Sequence, residues 1–289
     1  MTKAAYYPFM DKLWLFSIIY IVWFHTPPRF EAGTDNIIWY IGVALFFFIS
    51  GSLFHSDRLT AKDFVARQFH RLILPSLVCY MAFYLLWVFF GRYHASTEDL
   101  EAQWYTPLTE LVTGQPNLVA APLWFIVTLL VIQGTTYIIR KKLPLSVLLL
   151  ISVCITAFSS FIDINFFNIH FASVFFIWHT LGICFQHYLL PHVLTPGTPV
   201  KWITCIKAAG VPILAFQNYV IGCVKILLSA FCAYDLMTAP LYAKFIVATI
   251  AFVITTVTAL VAYEAIKRIP CQPIIQKKSW RISKRILSG

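Results

Sequence analysis

Apolar runs long enough to cross a lipid bilayer recur along this chain. A transmembrane helix needs about 20 predominantly apolar residues. The clear candidates are 13–27, 36–54, 72–91, 121–139, 143–162, 169–190 and 241–263. The stretch 202–234 fits either one helix with an interfacial lead-in or two short helices, because its apolar residues are interrupted by lysine, glycine and proline. Backbone groups in lipid must find hydrogen bonds within their own segment. The sequence therefore predicts an all-α, polytopic membrane bundle.

Composition excludes several other classes of protein. Hydrophobic residues make up 60% of the 289 residues and charged residues only 12%, against about 25% charged in an ordinary soluble domain. A soluble enzyme and a disordered chain are both excluded. The net charge of +10 comes from short clusters between apolar runs, which is typical of cytoplasmic membrane loops rather than of nucleic-acid binding. The 7 cysteines contain no CxxC pair, so neither a disulfide framework nor a zinc site is expected.

The charges of the loops predict the orientation of the bundle. Basic residues cluster in 55–71 and 140–142, and the segment 267–289 holds seven basic residues and no acidic one. The long loop 92–120 is acidic instead, with four carboxylates and one arginine. The positive-inside rule places the basic segments and both termini in the cytoplasm, which requires an even number of spans. We expect eight spans, with nine or ten as alternatives, in one membrane domain over 1–266 followed by a basic tail over 267–289.

Ionisable residues inside apolar runs are the first candidates for a functional site, because charge in lipid is costly. His25 closes the first run and has the near-neutral pKa that suits a general base; an interfacial anchor is the alternative. Asp11 lies 14 residues earlier, about 21 Å along a helix, so the two cannot touch on a straight helix. His179 fits a core histidine as well as a site residue.

Two further patterns suggest a ligand site. Arg67 and Arg71 are four residues apart and therefore share one face of a helix. Such a pair suits a phosphate-bearing ligand, although simple anchoring at the cytoplasmic surface explains it equally. The small-residue patch Ser50-Gly51-Ser52 allows another helix or a ligand to approach closely. A P-loop, GxSxG, HExxH and GxGxxG are all missing from the sequence, which disfavours ATPases, hydrolases and zincins.

An Asp precedes helix one and a His ends it, FFFISGSLF follows at 46–54, RLILP at 71–75 and LWFI at 123–126. The order of these motifs resembles the acyltransferase 3 family of membrane O-acyltransferases. The likeness is greatest to the branch of surface-polysaccharide and fucose 4-O-acetylase-like enzymes. Two features depart from the family. Trp14 stands where a basic residue is usual, and the chain is shorter than most members, which commonly have ten spans.

The resemblance implies a reaction and a set of residues for it. An acyl group, expected to be acetyl, passes from cytoplasmic acyl-CoA to a sugar hydroxyl of a surface polysaccharide or its lipid-linked precursor, in the bacterial cytoplasmic (inner) membrane. Acyl-CoA is a donor substrate, and no permanently bound cofactor and no metal are expected. The implied roles are catalysis by His25 and Asp11, CoA binding by Lys12, Arg67, Arg71 and Arg140, and a substrate channel at Ser50, Gly51 and Trp124. The alternatives are a transporter or flippase for lipid-linked sugars and a catalytically inactive relative.

Overall fold

The computed structural model describes residues 7–24, 32–55, 59–89, 103–114, 119, 124–162, 164, 166–210, 213–214, 220, 223 and 241–267. Within these residues the chain forms helices and loops and no strand, so the predicted all-helical fold is confirmed. In chain order the α-helices are α1 (Pro8–Phe24), α2 (Ala32–Ser52), α3 (Ala61–Gln68), α4 (Leu74–Phe89), α5 (Thr106–Thr113), α6 (Trp124–Arg140), α7 (Leu145–Ala157), α8 (Ile169–Cys184), α9 (Leu190–Val193), α10 (Lys201–Ala208) and α11 (Leu241–Lys267). Two π turns, Phe69–Ile73 and Phe185–Leu189, join α3 to α4 and α8 to α9.

Two continuous helical stretches of the described residues are long and apolar enough to cross a membrane. They are Ala61–Phe89, with 29 residues, and Phe166–Val193, with 28. One apolar helix is markedly shorter than expected. The span predicted over 143–162 is a helix only over Leu145–Ala157, 13 residues, or about 20 Å, because the chain turns into a 3₁₀ segment at Ser159–Phe161. The predicted count of eight spans is not confirmed.

Helices α2 and α8 form the centre of the bundle, and two glycines bring them together. A Cβ atom on Gly51 would overlap the carbonyl of His179, and one on Gly182 would overlap the carbonyl of Phe48. Close approach of two backbones through small residues is how helices pack when surrounded by lipid. Phe47 and Phe175 fill the space beside this contact, fully buried with their rings stacked at 5.1 Å. The contact fixes the end of α2 that carries Ser50.

The outer surface of the bundle is apolar. On α4, for example, Leu77, Met81 and Leu85 are exposed on the side opposite the buried aromatic residues. A water-soluble protein rarely exposes contiguous apolar patches of this kind, whereas a membrane helix presents such a face to lipid. The exposed apolar face of α4 therefore agrees with the length of the continuous stretch Ala61–Phe89 in indicating a membrane span.

Candidate functional site

A pocket of about 190 Å³ opens between α1, α2, α3, α6 and the first π turn. We call it the arginine pocket. Its described lining residues are Trp14, Phe46, Ile49, Ser50, Leu53, Phe54, Arg67, Gln68, Arg71, Leu72, Leu129 and Gln133. The wall is mostly apolar, and the polar groups that line it belong to a few convergent side chains, as in a typical ligand site. Three of the residues singled out from the sequence, Ser50, Arg67 and Arg71, meet here.

Helix α3 holds Arg67 in place through contacts at its start and along its buried side. The hydroxyl of Thr60 accepts a hydrogen bond from the backbone N–H of Asp63 at 3.2 Å, which caps the helix. Phe64 then stacks on Tyr137 of α6 with ring centroids 4.2 Å apart. The Tyr137 hydroxyl donates to the Leu59 carbonyl at 3.0 Å. This short amphipathic helix is thereby fastened to α6.

The first π turn is caused by the proline two residues beyond it. Pro75 has no N–H to donate to the carbonyl of Arg71, four residues earlier, and its ring would crowd that carbonyl in an α-helix. The backbone widens instead, and the N–H of Leu74 bonds to the carbonyl of Phe69, five residues back. The second π turn repeats the pattern, because Pro191 follows Phe185–Leu189 in the same register. Such π segments are frequent at functional sites, and this one sets the direction of Arg71.

The charges of Arg67 and Arg71 are not neutralised by the part of the chain that the structure describes. Arg67 is half-buried and Arg71 is exposed, and the two guanidinium groups are close enough to repel each other. No described carboxylate forms an ion pair with either group. Paired guanidinium groups without a counter-ion favour an anionic ligand, and their planar donors match phosphate oxygens.

Trp14 supplies an aromatic wall on the α1 side of the pocket. It is only 8% exposed, and a Cβ atom on Gly210 would lie 2.7 Å from its ring, so the indole is clamped between the pocket and the segment after α10. The position that the family resemblance associates with a basic residue therefore contributes an apolar surface in this chain. The positive charge of the pocket comes from Arg67 and Arg71 instead.

A chain of hydrogen bonds crosses the arginine pocket. The Gln68 amide Nε2 donates to Gln133 Oε1 at 2.6 Å, and Gln133 Nε2 donates to the Ser50 hydroxyl at 2.9 Å. Sequence reasoning missed both glutamines because it searched the spans for ionisable groups. A signal was present, since Gln133 is an amide inside the apolar helix WFIVTLLVIQGTTYIIR. Uncharged polar residues in such helices also need partners.

Other predicted site residues lie away from the arginine pocket or at its edge. Asp11 is buried on α1, one turn before Trp14, and Lys12 is exposed. Arg140 ends α6, where its charge acts on Cys184. The close approach at Gly51 is made by α8. His25 lies outside the described residues.

Trp124 and His179 pack against other residues of the helix bundle. The Trp124 ring packs on Phe171 at 4.8 Å, and its carbonyl accepts from Thr128 at 3.1 Å. His179 is fully buried, and its Nδ1 lies 3.4 Å from the Thr136 hydroxyl. Its Nε2 has no hydrogen-bond partner among the described residues.

A comparison with protein families identifies the class to which this chain belongs. A family model described as an acyltransferase domain matches residues 8–274. The chain therefore belongs to the acyltransferase 3 family of membrane acyltransferases, which confirms the resemblance of its motifs. Comparisons with curated proteins and with solved structures find no match.

Proposed function

We propose that this protein is an O-acyltransferase that moves an acetyl group from cytoplasmic acetyl-CoA to a sugar hydroxyl of a surface polysaccharide or its lipid-linked precursor. The family supplies acyl transfer in general. The arginine pocket is the observation that carries the choice of donor. It combines two guanidinium groups that no described carboxylate neutralises with a small, mostly apolar interior. CoA has this same division, with phosphates at one end and a slender chain at the other.

The donor binds at the basic end of the bundle in this proposal. Arg67 and Arg71 hold the CoA phosphates, and Arg140 and Lys12 add positive charge around that end. The segments 55–71 and 140–142 are the basic loops expected in the cytoplasm, where acyl-CoA is found. Asp11 is one turn from Trp14 on the buried side of α1 and helps to shape the donor end.

The transfer itself needs a base and a path along α1. His25 takes the proton of the sugar hydroxyl as the hydroxyl oxygen attacks the thioester carbonyl. The C–O ester bond forms, the C–S bond breaks, and the proton passes to the departing CoA thiolate. His25 lies 11 residues beyond Trp14 in the sequence, or about 16 Å if the helix continued. The acyl end of the donor therefore extends from the pocket along α1, past Ser50 and Trp124 as the proposed channel residues.

The acceptor approaches from the end of α4 that is far from Arg71. Trp104 and Tyr105 are exposed there, 55% and 49%, with their rings edge to face at 5.8 Å. The Tyr84 hydroxyl donates to the Trp104 carbonyl at 3.0 Å and fixes this pair near the end of α4. Exposed aromatic rings offer flat apolar faces to the C–H side of a sugar ring. This pair belongs to the acidic loop 92–120, which charge patterning predicts to lie outside.

The test is the O-acetyl content of surface glycan in cells that express the wild type or His25→Ala at matched membrane levels. We expect acetylation with the wild type and a loss of roughly 10²–10⁴-fold with the variant, the usual contribution of a positioned base. His192→Ala is the matched control, because His192 is exposed on α9 away from the pocket. Equal acetylation by His25→Ala and the wild type would remove His25 from the mechanism. Failure of the wild type with every glycan tested would favour an inactive relative or a transporter.

A further inference from the structure

The chain Gln68–Gln133–Ser50 joins three helices across the arginine pocket. Gln68 ends α3, Gln133 lies within α6 and Ser50 lies near the end of α2. Gln133 uses its carbonyl oxygen for Gln68 and an amide hydrogen for Ser50. The central residue thus holds the outer two in a fixed relation, and all three line the same pocket.

Each end of this chain retains hydrogen-bonding capacity for a ligand. Ser50 accepts from Gln133, and its own O–H has no acceptor among the described residues. Ser52 on the same helix behaves differently, because its hydroxyl donates back to the Phe48 carbonyl at 3.0 Å. Gln68 donates one of its two amide hydrogens to Gln133 and keeps the other hydrogen and its carbonyl oxygen, which is the acceptor of the pair. Reversing both glutamine amides would exchange the roles of the two ends but would still leave at least one donor and one acceptor.

A donor and an acceptor facing one small pocket match a secondary amide. An amide offers a carbonyl oxygen to the donor and an N–H to the acceptor. An ester or a phosphate offers only oxygens and would leave the acceptor without a partner, which carries a penalty in a partly buried site. The ester of a phospholipid, the other anionic molecule that could reach two arginines, is therefore a poor match.

The size of the arginine pocket restricts the ligand further. About 190 Å³ is below the roughly 300–1,000 Å³ of pockets that hold a whole drug-sized molecule. Apart from the arginines and the hydrogen-bonded chain, the lining is apolar, with Phe46 and Leu129 among its buried members. The pocket suits a slender chain with an embedded amide, while the bulky charged part of the ligand stays at the mouth with Arg71.

We propose that Ser50 and Gln68 bind a secondary amide of the pantetheine arm of CoA, with Gln133 as the residue that positions both. The proposal rests on the proposed function, since it takes acyl-CoA as the donor, and it adds the part of the donor that is recognised. Arg67 and Arg71 hold the phosphates, and the amide-binding pair draws the arm into the pocket. A free nucleotide bearing the same phosphates engages only the arginines.

The experiment measures binding to the full-length protein in lipid nanodiscs. The ligands are CoA, its nucleotide fragment 3′-phospho-ADP, a CoA analogue with both amide N–H groups replaced by ester oxygens, and an anionic phospholipid. The variants are Gln133→Leu, Ser50→Ala and Gln68→Leu. The matched control is Gln186→Leu, a glutamine whose amide contacts His55 at 2.5 Å and which does not line the arginine pocket.

We expect Gln133→Leu to weaken CoA binding roughly tenfold, the usual effect of leaving polar groups without partners. Ser50→Ala and Gln68→Leu should each weaken it several-fold. None of the three should change the affinity for 3′-phospho-ADP, and Gln68→Leu should not weaken binding of the ester analogue, which already lacks the N–H. A general loss of structure would lower the affinity for all ligands together, and this selectivity separates the two effects.

The outcomes that overturn the proposal are distinct from failure of the proposed function. If the wild type binds CoA and the three variants bind it equally well, amide recognition is wrong and the CoA donor stands. Equal weakening of CoA and the ester analogue by Gln68→Leu also overturns it. Phospholipid binding that depends on Gln68 and competes with CoA would assign the pocket to lipid. If the wild type binds neither CoA nor 3′-phospho-ADP, the proposed donor itself fails and this inference fails with it.

Discussion

The start and the middle of α6 use polar side chains in opposite ways. At its start, the Asn168 amide donates to the carbonyls of Gly114 and Trp124 at 2.5 and 3.3 Å. Nearby, the Tyr80 hydroxyl donates to the Pro107 carbonyl at 2.5 Å. We call this region the Asn168 junction. Further along α6, the arginine pocket holds guanidinium groups without described counter-ions and a hydrogen-bonded chain with open ends.

The difference separates polar groups that maintain the fold from those that can meet a ligand. In the Asn168 junction the side chains bind backbone carbonyls that a loop buried against helices would otherwise leave without partners. Such bonds stabilise the native state and leave little for a ligand. In the arginine pocket the side chains bind mainly one another. These polar groups therefore cost stability and provide recognition. Substitutions at the two places should therefore affect different measurements.

The largest effect is expected when the charge of the arginine pocket is removed. Arg67→Gln combined with Arg71→Gln should lower the affinity for CoA by roughly ten- to a hundredfold for each guanidinium, because hydrogen bonds to charged groups contribute about 1.5–3 kcal/mol. Thermal stability should stay the same or rise, since the two like charges no longer repel each other. Titration calorimetry and a melting curve on the same nanodisc sample measure both.

Lys62→Gln is the matched control for the arginine variants. It removes a positive charge from the same short helix, but the side chain is exposed and does not line the pocket. An equal loss of CoA affinity in Lys62→Gln would mean that overall positive charge attracts CoA and that the pocket has no special part in binding.

The sequence predicted the chemistry of these regions better than their geometry. Apolar runs and loop charge indicated the helical membrane fold, and the four-residue spacing of Arg67 and Arg71 placed them on one face. The spacing could not show which helices would face them, because that depends on the glycine contact between α2 and α8. Trp14 forms a wall of the arginine pocket for the same reason, because its place beside the pocket depends on how the helices pack.

Local backbone effects explain the other differences. Pro75 and Pro191 were visible in the sequence, but the π turns before them depend on how the widened backbone packs. The early end of α7 at Ala157 is not evident from hydropathy, because Phe158, Phe161 and Ile162 continue the apolar run on either side of Ser159 and Ser160. Gln133 was visible too, and a search for amides within apolar runs would have found it.

An intermediate effect is expected at the Asn168 junction. Asn168→Ala should lower the free energy of unfolding by about 1–3 kcal/mol, because two carbonyls lose a buried donor. The residue also has a φ of 52°, a left-handed conformation that Asn tolerates better than Ala. A lower melting temperature with unchanged CoA affinity is the expected result.

Asn168→Gly separates the two causes at this position. Glycine adopts positive φ without cost, so it removes only the hydrogen bonds, and its melting temperature should lie between those of the wild type and Asn168→Ala. A fall in CoA affinity in either variant would show that the junction and the pocket are coupled, and the contrast between the two regions would then be wrong.

The smallest effect is expected for the carboxylate of Glu110 in α5. Its Oε2 is buried without a hydrogen bond among the described residues, and burial raises the pKa of this carboxyl above its ordinary 4.5. The folded state therefore holds its proton more tightly than the unfolded state, so stability falls as the pH rises from the ordinary value through the raised one. Glu110→Gln should raise the melting temperature slightly at pH 7 and leave it unchanged at about pH 3, well below the ordinary pKa, where the carboxyl is protonated in both states. The pH dependence of this difference isolates the charge from the change of shape. A difference that is the same at both pH values would mean that the carboxylate is fully solvated. Glu110 would then neither stabilise the fold, as the Asn168 junction does, nor cost stability, as the arginine pocket does.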